Sequence, residues 1–157
     1  SSGKNGLDEN LFKFVSKLTP LINVDLLVRN QKDQIALTWR SDDFYGPGWH
    51  VPGGIIRFKE KIEARIEKVA QLELGFTVKY NPNPIKISQV TAPHRDIRGH
   101  FISLLIDCTP KKKLLFKEKN YISSPTDIKN GTLAWFEKCP DNLISQHFMY
   151  KEYFKKR

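Results

Sequence analysis

The 157-residue sequence predicts one α/β domain, a mixed β-sheet sandwiched between helices in an α/β/α stack, with a further helix near each end. Three observations predict it. Ile62, Ile66, Val69 and Ala70 recur at i, i+4, i+7 and i+8 ahead of Gly75, the pattern of an amphipathic helix and its terminator. Residues 101–106 (FISLLI) are a short apolar run, as expected of a strand covered on both faces. Amphipathic stretches at 8–18 and 141–155 supply the outer helices.

In chain order, residues 1–7 read as a disordered lead-in or tag remnant, with Ser1-Ser2-Gly3 as its scar. Residues 8–18 form a helix capped by Asp8, with Leu11, Phe14, Val15 and Leu18 on one face. The runs 21–28 and 35–40 are strands that pair as a hairpin across the turn 30–33. A polar loop covers 41–48. Trp49-His50-Val51 is extended, and Pro52-Gly53-Gly54 breaks it. After the helix at 60–74 come strands at 76–79, 86–90, 100–107 and 132–137. A terminal helix at 141–155 is capped by Asp141 or Asn142.

With 39% hydrophobic and 27% charged residues the chain can build a core, and it has no apolar run of about 18 residues to cross a membrane. It also lacks the apolar segment of a signal peptide, so a cytoplasmic location is expected. Cys108 and Cys139 show no metal-ligand spacing and read as free thiols in a reducing compartment. Much of the net charge of +9 sits in the runs 111–113 and 155–157, which read as a solvated loop and tail. A nucleic-acid partner is therefore not expected, while a positive field would gather any polyphosphate substrate.

The chemistry concentrates in residues 53–76, GGIIRFKEKIEARIEKVAQLELGF. Two glycines leave a strand and allow close backbone approach. Glu73, eleven residues after Ile62, returns to the apolar face of the helix and stands in its last turn, where the helix dipole disfavours an anion. A half-buried carboxylate there needs a divalent cation or a salt bridge from another strand, and the residues alone leave both open. His94, in the loop 91–96, fits a general base or a surface histidine. His100 reads as structural, His50 as packed or pocket-facing, and His147 as without chemistry. Glu63 and Glu67 fit a solvated helix face or the flanks of a second metal. Tyr45 and Trp49 fit core packing or base stacking. Arg95, Asp96 and Arg98 fit an exposed turn or a reader of sugar or phosphate.

Residues 54–76 match the spacing of the Nudix box, G-x5-E-x7-R-E-U-x-E-E-x-G-U, where U is apolar. Gly54 begins it, Glu60 is its first glutamate, Glu73 its last, Gly75 its glycine and Phe76 its end. Lys68 replaces the arginine, and Val69 and Leu72 replace two glutamates. The chain thus resembles the Nudix hydrolases, most of all the GDP-mannose mannosyl hydrolase branch, whose box also keeps only the last glutamate and ends in E-L-G. Leu18-Thr19-Pro20-Leu21, Val24-Asp25 and Arg40 extend the match upstream.

The resemblance implies a Nudix fold, a Mg²⁺ (or Mn²⁺) cofactor, a nucleotide-sugar substrate and a homodimer. Water would attack the anomeric carbon and release GDP and free sugar. The Gly53 carbonyl and Glu73 would hold the metal, Arg40 would contact the diphosphate, and Asp25 would lie in the substrate site. Arg57 would substitute for an arginine that the branch places where this chain has Ile55. Lys68 would keep the box arginine's charge without its fork, and Glu60 would orient the loop–helix junction. The branch's Gln-His pair falls at Lys129 and Asn130, neither suited to metal binding or base work, so either another residue, with His94 the candidate, is the base or the activity is altered or lost. Two other activities stay open: cleavage between phosphorus atoms, and nucleotide binding without turnover.

Overall fold

The computed structural model describes residues 5–41, 46–112 and 128–156. Tyr45, Lys113, Arg157 and the segment 1–3 lie outside them. Helix α1 (Glu9–Leu18) starts at the expected cap, with Asp8 accepting the Leu11 N–H at 3.0 Å. Its inward face is not the expected one. Leu11, Phe14 and Leu18 are exposed, while Phe12, Val15 and buried Ser16 turn inward. Polar contacts set this rotation: Ser16 Oγ accepts the Arg98 N–H at 3.1 Å, and the Arg98 guanidinium lies 5.5 Å from the Phe12 ring centroid.

Strands β1 (Leu21–Val28) and β2 (Ile35–Arg40) keep their expected bounds but do not form the expected hairpin. β1 pairs antiparallel with β4 (Gly53–Ile55) and parallel with β7 (His100–Pro110), so both its edges are taken. β2 therefore joins a second sheet, between β3 (Gly48–His50) and β8 (Leu133–Phe136), and a single bridge from Arg29 to Ile35 spans the two. For the same reason Gly53-Gly54 does not interrupt extended structure; it is the start of β4.

The larger sheet runs β4-β1-β7-β5. Strands β5 (Val78–Tyr80) and β6 (Lys86–Thr91) share the far edge of β7. Within 101–106, Leu105 and Ile106 are fully buried and no residue is exposed. Helix α2 (Ile62–Val69) continues as a π turn (Ala70–Leu74) and stops at Gly75 in the left-handed region, φ 77°. The expected stripe packs there: Ile66, Val69 and Ala70 join Val24, Leu26, Val28 and Ile106 in one core. Each large aliphatic side chain so buried contributes about 1.5–3 kcal/mol. A second core, on the other side of the sheet, gathers Leu27, Leu105, Leu37, Trp49 and Tyr150. Trp49 is thus a packing residue, edge-on to Trp39 and Phe136.

The terminal helix is a 3₁₀ helix (Ser145–Tyr153), shorter than expected, and neither Asp141 nor Asn142 caps it. Trp49 binds its lead-in: the Trp49 N–H donates to the Asn142 carbonyl at 2.9 Å and the Ile144 N–H to the Trp49 carbonyl at 2.8 Å. Those bonds hold 142–144 extended along β3. Neither Cys108 nor Cys139 forms a disulfide; burial pushes the Cys108 thiol up to about 12. No described helix is long and apolar enough to cross a membrane.

Candidate active site

A cavity of about 550 Å³ lies between β1, β4, the end of β2, α1 and the terminal helix. Gly53 stands opposite Asp25 in the β1–β4 pairing. A Cβ at Gly53 would overlap the Asp25 carboxylate and come 2.8 Å from the Val24 carbonyl oxygen, so only glycine lets this acid sit there. The Gly53 N–H donates to Glu73 Oε2 at 2.7 Å. Glu73 reaches it from the π turn, where the Gly75 N–H donates to the Ala70 carbonyl five residues back. Its other oxygen is 3.9 Å from Arg40 Nη2, too far for a hydrogen bond.

Burial pushes Glu73 up to about 7, against the pull of Arg40 and the Gly53 N–H. Burial also pushes Asp25 up to about 7, and the Glu73 charge adds to the rise. Tyr150 donates its O–H to Asp25 Oδ2 at 2.5 Å, and Asn23 Nδ2 donates to Oδ1 at 2.8 Å; both oppose the rise. Behind Asn23, Ser103 Oγ donates to Asn23 Oδ1 at 3.0 Å.

The donors fit one hard cation. Mg²⁺ is commonly held by one or two carboxylates with phosphate oxygens and water, and among the described residues Glu73 Oε1 has no hydrogen bond, while its Oε2 is held by the Gly53 N–H. Among the described residues no three His, Cys, Asp or Glu side chains converge as a metal site, so substrate and water would complete the shell.

His147, expected to be idle, lines the cavity beside His50, their ring centroids 5.9 Å apart. Its Nδ1 accepts the Val51 N–H at 3.0 Å, so in the neutral ring Nε2 carries the hydrogen, 3.9 Å from Asp25 Oδ2. Burial, together with His50 and Arg40, holds His147 well below its usual value and therefore neutral. It is a hydrogen-bond donor, with its acceptor nitrogen already used. Gln146 lines the same cavity. The chain thus has a Gln-His pair in the cavity, further along the sequence than the resemblance placed it. The i, i+3 spacing of His147 and Tyr150 was its available signal, since a 3₁₀ helix stacks such residues on one side.

The other expected residues divide. Arg40, Arg57, Asp25 and Gly53 line the cavity. Gly6 and Leu7, expected in a disordered lead-in, line it too. Glu60 lies at the loop–helix junction, accepting the Arg57 N–H at 2.9 Å and a two-point contact from Arg65 at 2.9 and 2.8 Å. Lys68 is exposed and outside the cavity lining; Arg65, one turn earlier, is the buried partner of Glu60. His94 is exposed on the β6–β7 loop and does not line the cavity. Asn130 accepts the Ser41 N–H at 3.0 Å, and neither it nor Lys129 lines the cavity.

The chain has the Nudix fold. Several solved structures are similar to it. One is a candidate asymmetric diadenosine tetraphosphate hydrolase of Jonesia denitrificans, 18% identical over 87% of this chain and 92% of that one, TM-score 0.65. A second is a MutT Nudix hydrolase of Burkholderia pseudomallei, 14% identical over 87% and 99%, TM-score 0.61. A third is the Nudix domain of Shewanella oneidensis NrtR in complex with ADP-ribose, 19% identical over 96% and 92%, TM-score 0.50. No family model matches the sequence.

Proposed function

We propose that the chain is a divalent-metal-dependent Nudix hydrolase of a nucleoside-diphosphate sugar, with GDP-mannose the first substrate to test, and that water attacks the anomeric carbon. The observation that carries this is Glu73, a half-buried carboxylate held by one backbone N–H, that of the cavity-lining Gly53, and 3.9 Å from the cavity-lining Arg40 guanidinium. A structural salt bridge would close on such an acid; this one keeps an oxygen available to a cation. Mg²⁺ or Mn²⁺ on Glu73 and the Gly53 carbonyl would neutralise the departing diphosphate. Arg40 and Arg57 add fixed positive charge toward the same group. Asp25 takes the proton of the attacking water in place of the exposed His94, since a carboxylate pushed to about 7 suits base work near neutrality. Tyr150 and Asn23 aim it. The Nε2–H of His147 donates to a substrate oxygen, and Glu60 with Arg65 fixes the loop that carries Arg57. A cytoplasmic homodimer completes the proposal; light scattering on the eluting protein checks the dimer.

The test is a panel of nucleotide sugars with Mg²⁺, scored for nucleoside diphosphate and monophosphate separately. GDP plus free sugar supports attack at carbon, and ¹⁸O-water must then label the sugar. GMP plus sugar phosphate would move the assignment to cleavage between phosphorus atoms, the reading favoured by the similarity to the candidate diadenosine tetraphosphate hydrolase of Jonesia denitrificans. Binding without turnover under any metal would leave a nucleotide-binding module.

A further inference from the structure

Strand β7 is apolar from Phe101 to Ile106 except at Ser103, and Ser103 is 4% exposed. The strands on either side set Asn23 of β1 and Ser88 of β6 opposite it. A buried hydroxyl in such a run costs stability unless it is hydrogen-bonded, and an apolar side chain would avoid the cost. The bond that Ser103 makes leads to the acid. Ser103 Oγ donates to Asn23 Oδ1 at 3.0 Å, and Asn23 Nδ2 donates to Asp25 Oδ1 at 2.8 Å. Tyr150 donates to the other oxygen, Asp25 Oδ2, at 2.5 Å. Ser103 also stands against Tyr150: burial pushes the Tyr150 hydroxyl up and the Asp25 charge adds to the rise, while the Ser103 hydroxyl pulls it down. One serine on β7 thus meets both donors that hold Asp25, one on β1 and one on the terminal 3₁₀ helix.

An asparagine amide is an acceptor at one end and a donor at the other, and a half-turn about its last bond exchanges them. A carboxylate only accepts, so Asn23 must face Asp25 with Nδ2. Ser103 fixes that choice by donating to Oδ1 at the far end. We propose that Ser103 is a positioning residue: acting through Asn23, it keeps the Asp25 carboxylate facing the water that Asp25 deprotonates, without touching the reacting atoms itself. The proposal rests on the reading of Asp25 as the base. A base that must meet one water in one place gains from such second-layer support. Ser103 lines the cavity, so the competing role is a direct contact with substrate. The two roles differ in kinetics. Lost positioning lowers kcat at constant KM, whereas a lost contact made equally in ground and transition states raises KM.

Steady-state kinetics on the intact chain with GDP-mannose and Mg²⁺ test it, using Ser103→Ala, Ser103→Thr, Asn23→Ala and the double alanine variant, with melting curves to report folding. Ser103→Ala should lose about tenfold in kcat and keep KM within about twofold. Ser103→Thr retains the hydroxyl and should return to within about threefold of wild type. The double variant should lose clearly less than the product of the two single losses, because Ser103 acts through Asn23. An unchanged kcat in Ser103→Ala, a rise in KM alone, a folded threonine variant as impaired as the alanine one, or losses that multiply would overturn the positioning role. Asparagine side-chain NMR gives a readout that needs no turnover. The Asn23 amide, assigned by its disappearance in Asn23→Ala, should exchange with solvent about tenfold faster in Ser103→Ala than in wild type. If GDP-mannose is not turned over at all, faster exchange keeps Ser103 as the residue that holds Asn23 while the GDP-mannose reading falls; unchanged exchange overturns the proposal itself.

Discussion

Glu60 and Glu73 mark the two ends of the same box segment, and they are held in opposite ways. Glu60 receives three hydrogen bonds, two from the Arg65 guanidinium and one from the Arg57 N–H. Burial pushes Glu60 up, but those donors outweigh it and its carboxyl sits below the usual range. Glu73 receives one hydrogen bond, and burial wins. Fully satisfied, an acid ties a loop to a helix; left with an open oxygen and little solvent, it is a place for a cation. The difference lies in the donors that each end of the helix brings near, since the residue type is the same.

Four substitutions can break or sharpen that contrast. Glu73→Gln should have the largest effect, a loss of at least about a hundredfold in metal-dependent kcat/KM with the melting temperature kept. Unchanged turnover would remove Glu73 from metal binding. Glu60→Ala should act on stability, costing about 2–3 kcal/mol in urea unfolding at pH 7, because it leaves the buried Arg65 guanidinium unpaired. The sign with pH follows from the lowered value of Glu60. Its contribution is present above the unfolded carboxyl value near 4.5 and is lost as pH falls through the folded value. The gap between wild type and variant should therefore close by about pH 3; a gap that grows on acidification would contradict the pairing. Arg40→Ala should lower kcat/KM by about tenfold through the lost diphosphate contact, and an unaltered ratio in steady-state assays would place Arg40 outside that contact. Lys68→Ala should be nearly silent, within about 0.5 kcal/mol in stability and about twofold in rate. A large rate loss there would restore the role the box spacing implies for it.

Much of the fold was legible because it rests on local pattern. The bounds of β1 and β2, the Asp8 cap, the stripe on α2 and its stop at Gly75 all follow from alternation, helical period and terminator chemistry. Glu73 was legible for the same reason: its phase on the helix pointed it at the core, where an acid is conspicuous. The β1–β2 hairpin was misread because pairing depends on which edges other strands fill, and β4 and β7 come from later in the chain. The face of α1 was misread because Ser16 and Arg98, two polar residues 82 positions apart, set its rotation.

The sequence by itself determined most of the elements, the glycine that stops the helix and the acid that returns to the helix's inner face, since each is encoded within a few residues of itself. Tertiary structure alone decided that His147 and Tyr150 meet Asp25, that Arg65 rather than Lys68 closes on Glu60, and that His94 stays in solvent. Those outcomes depend on distance and burial between segments far apart in the chain. A buried carboxylate's charge is set by the donors that reach it, and the sequence does not list them.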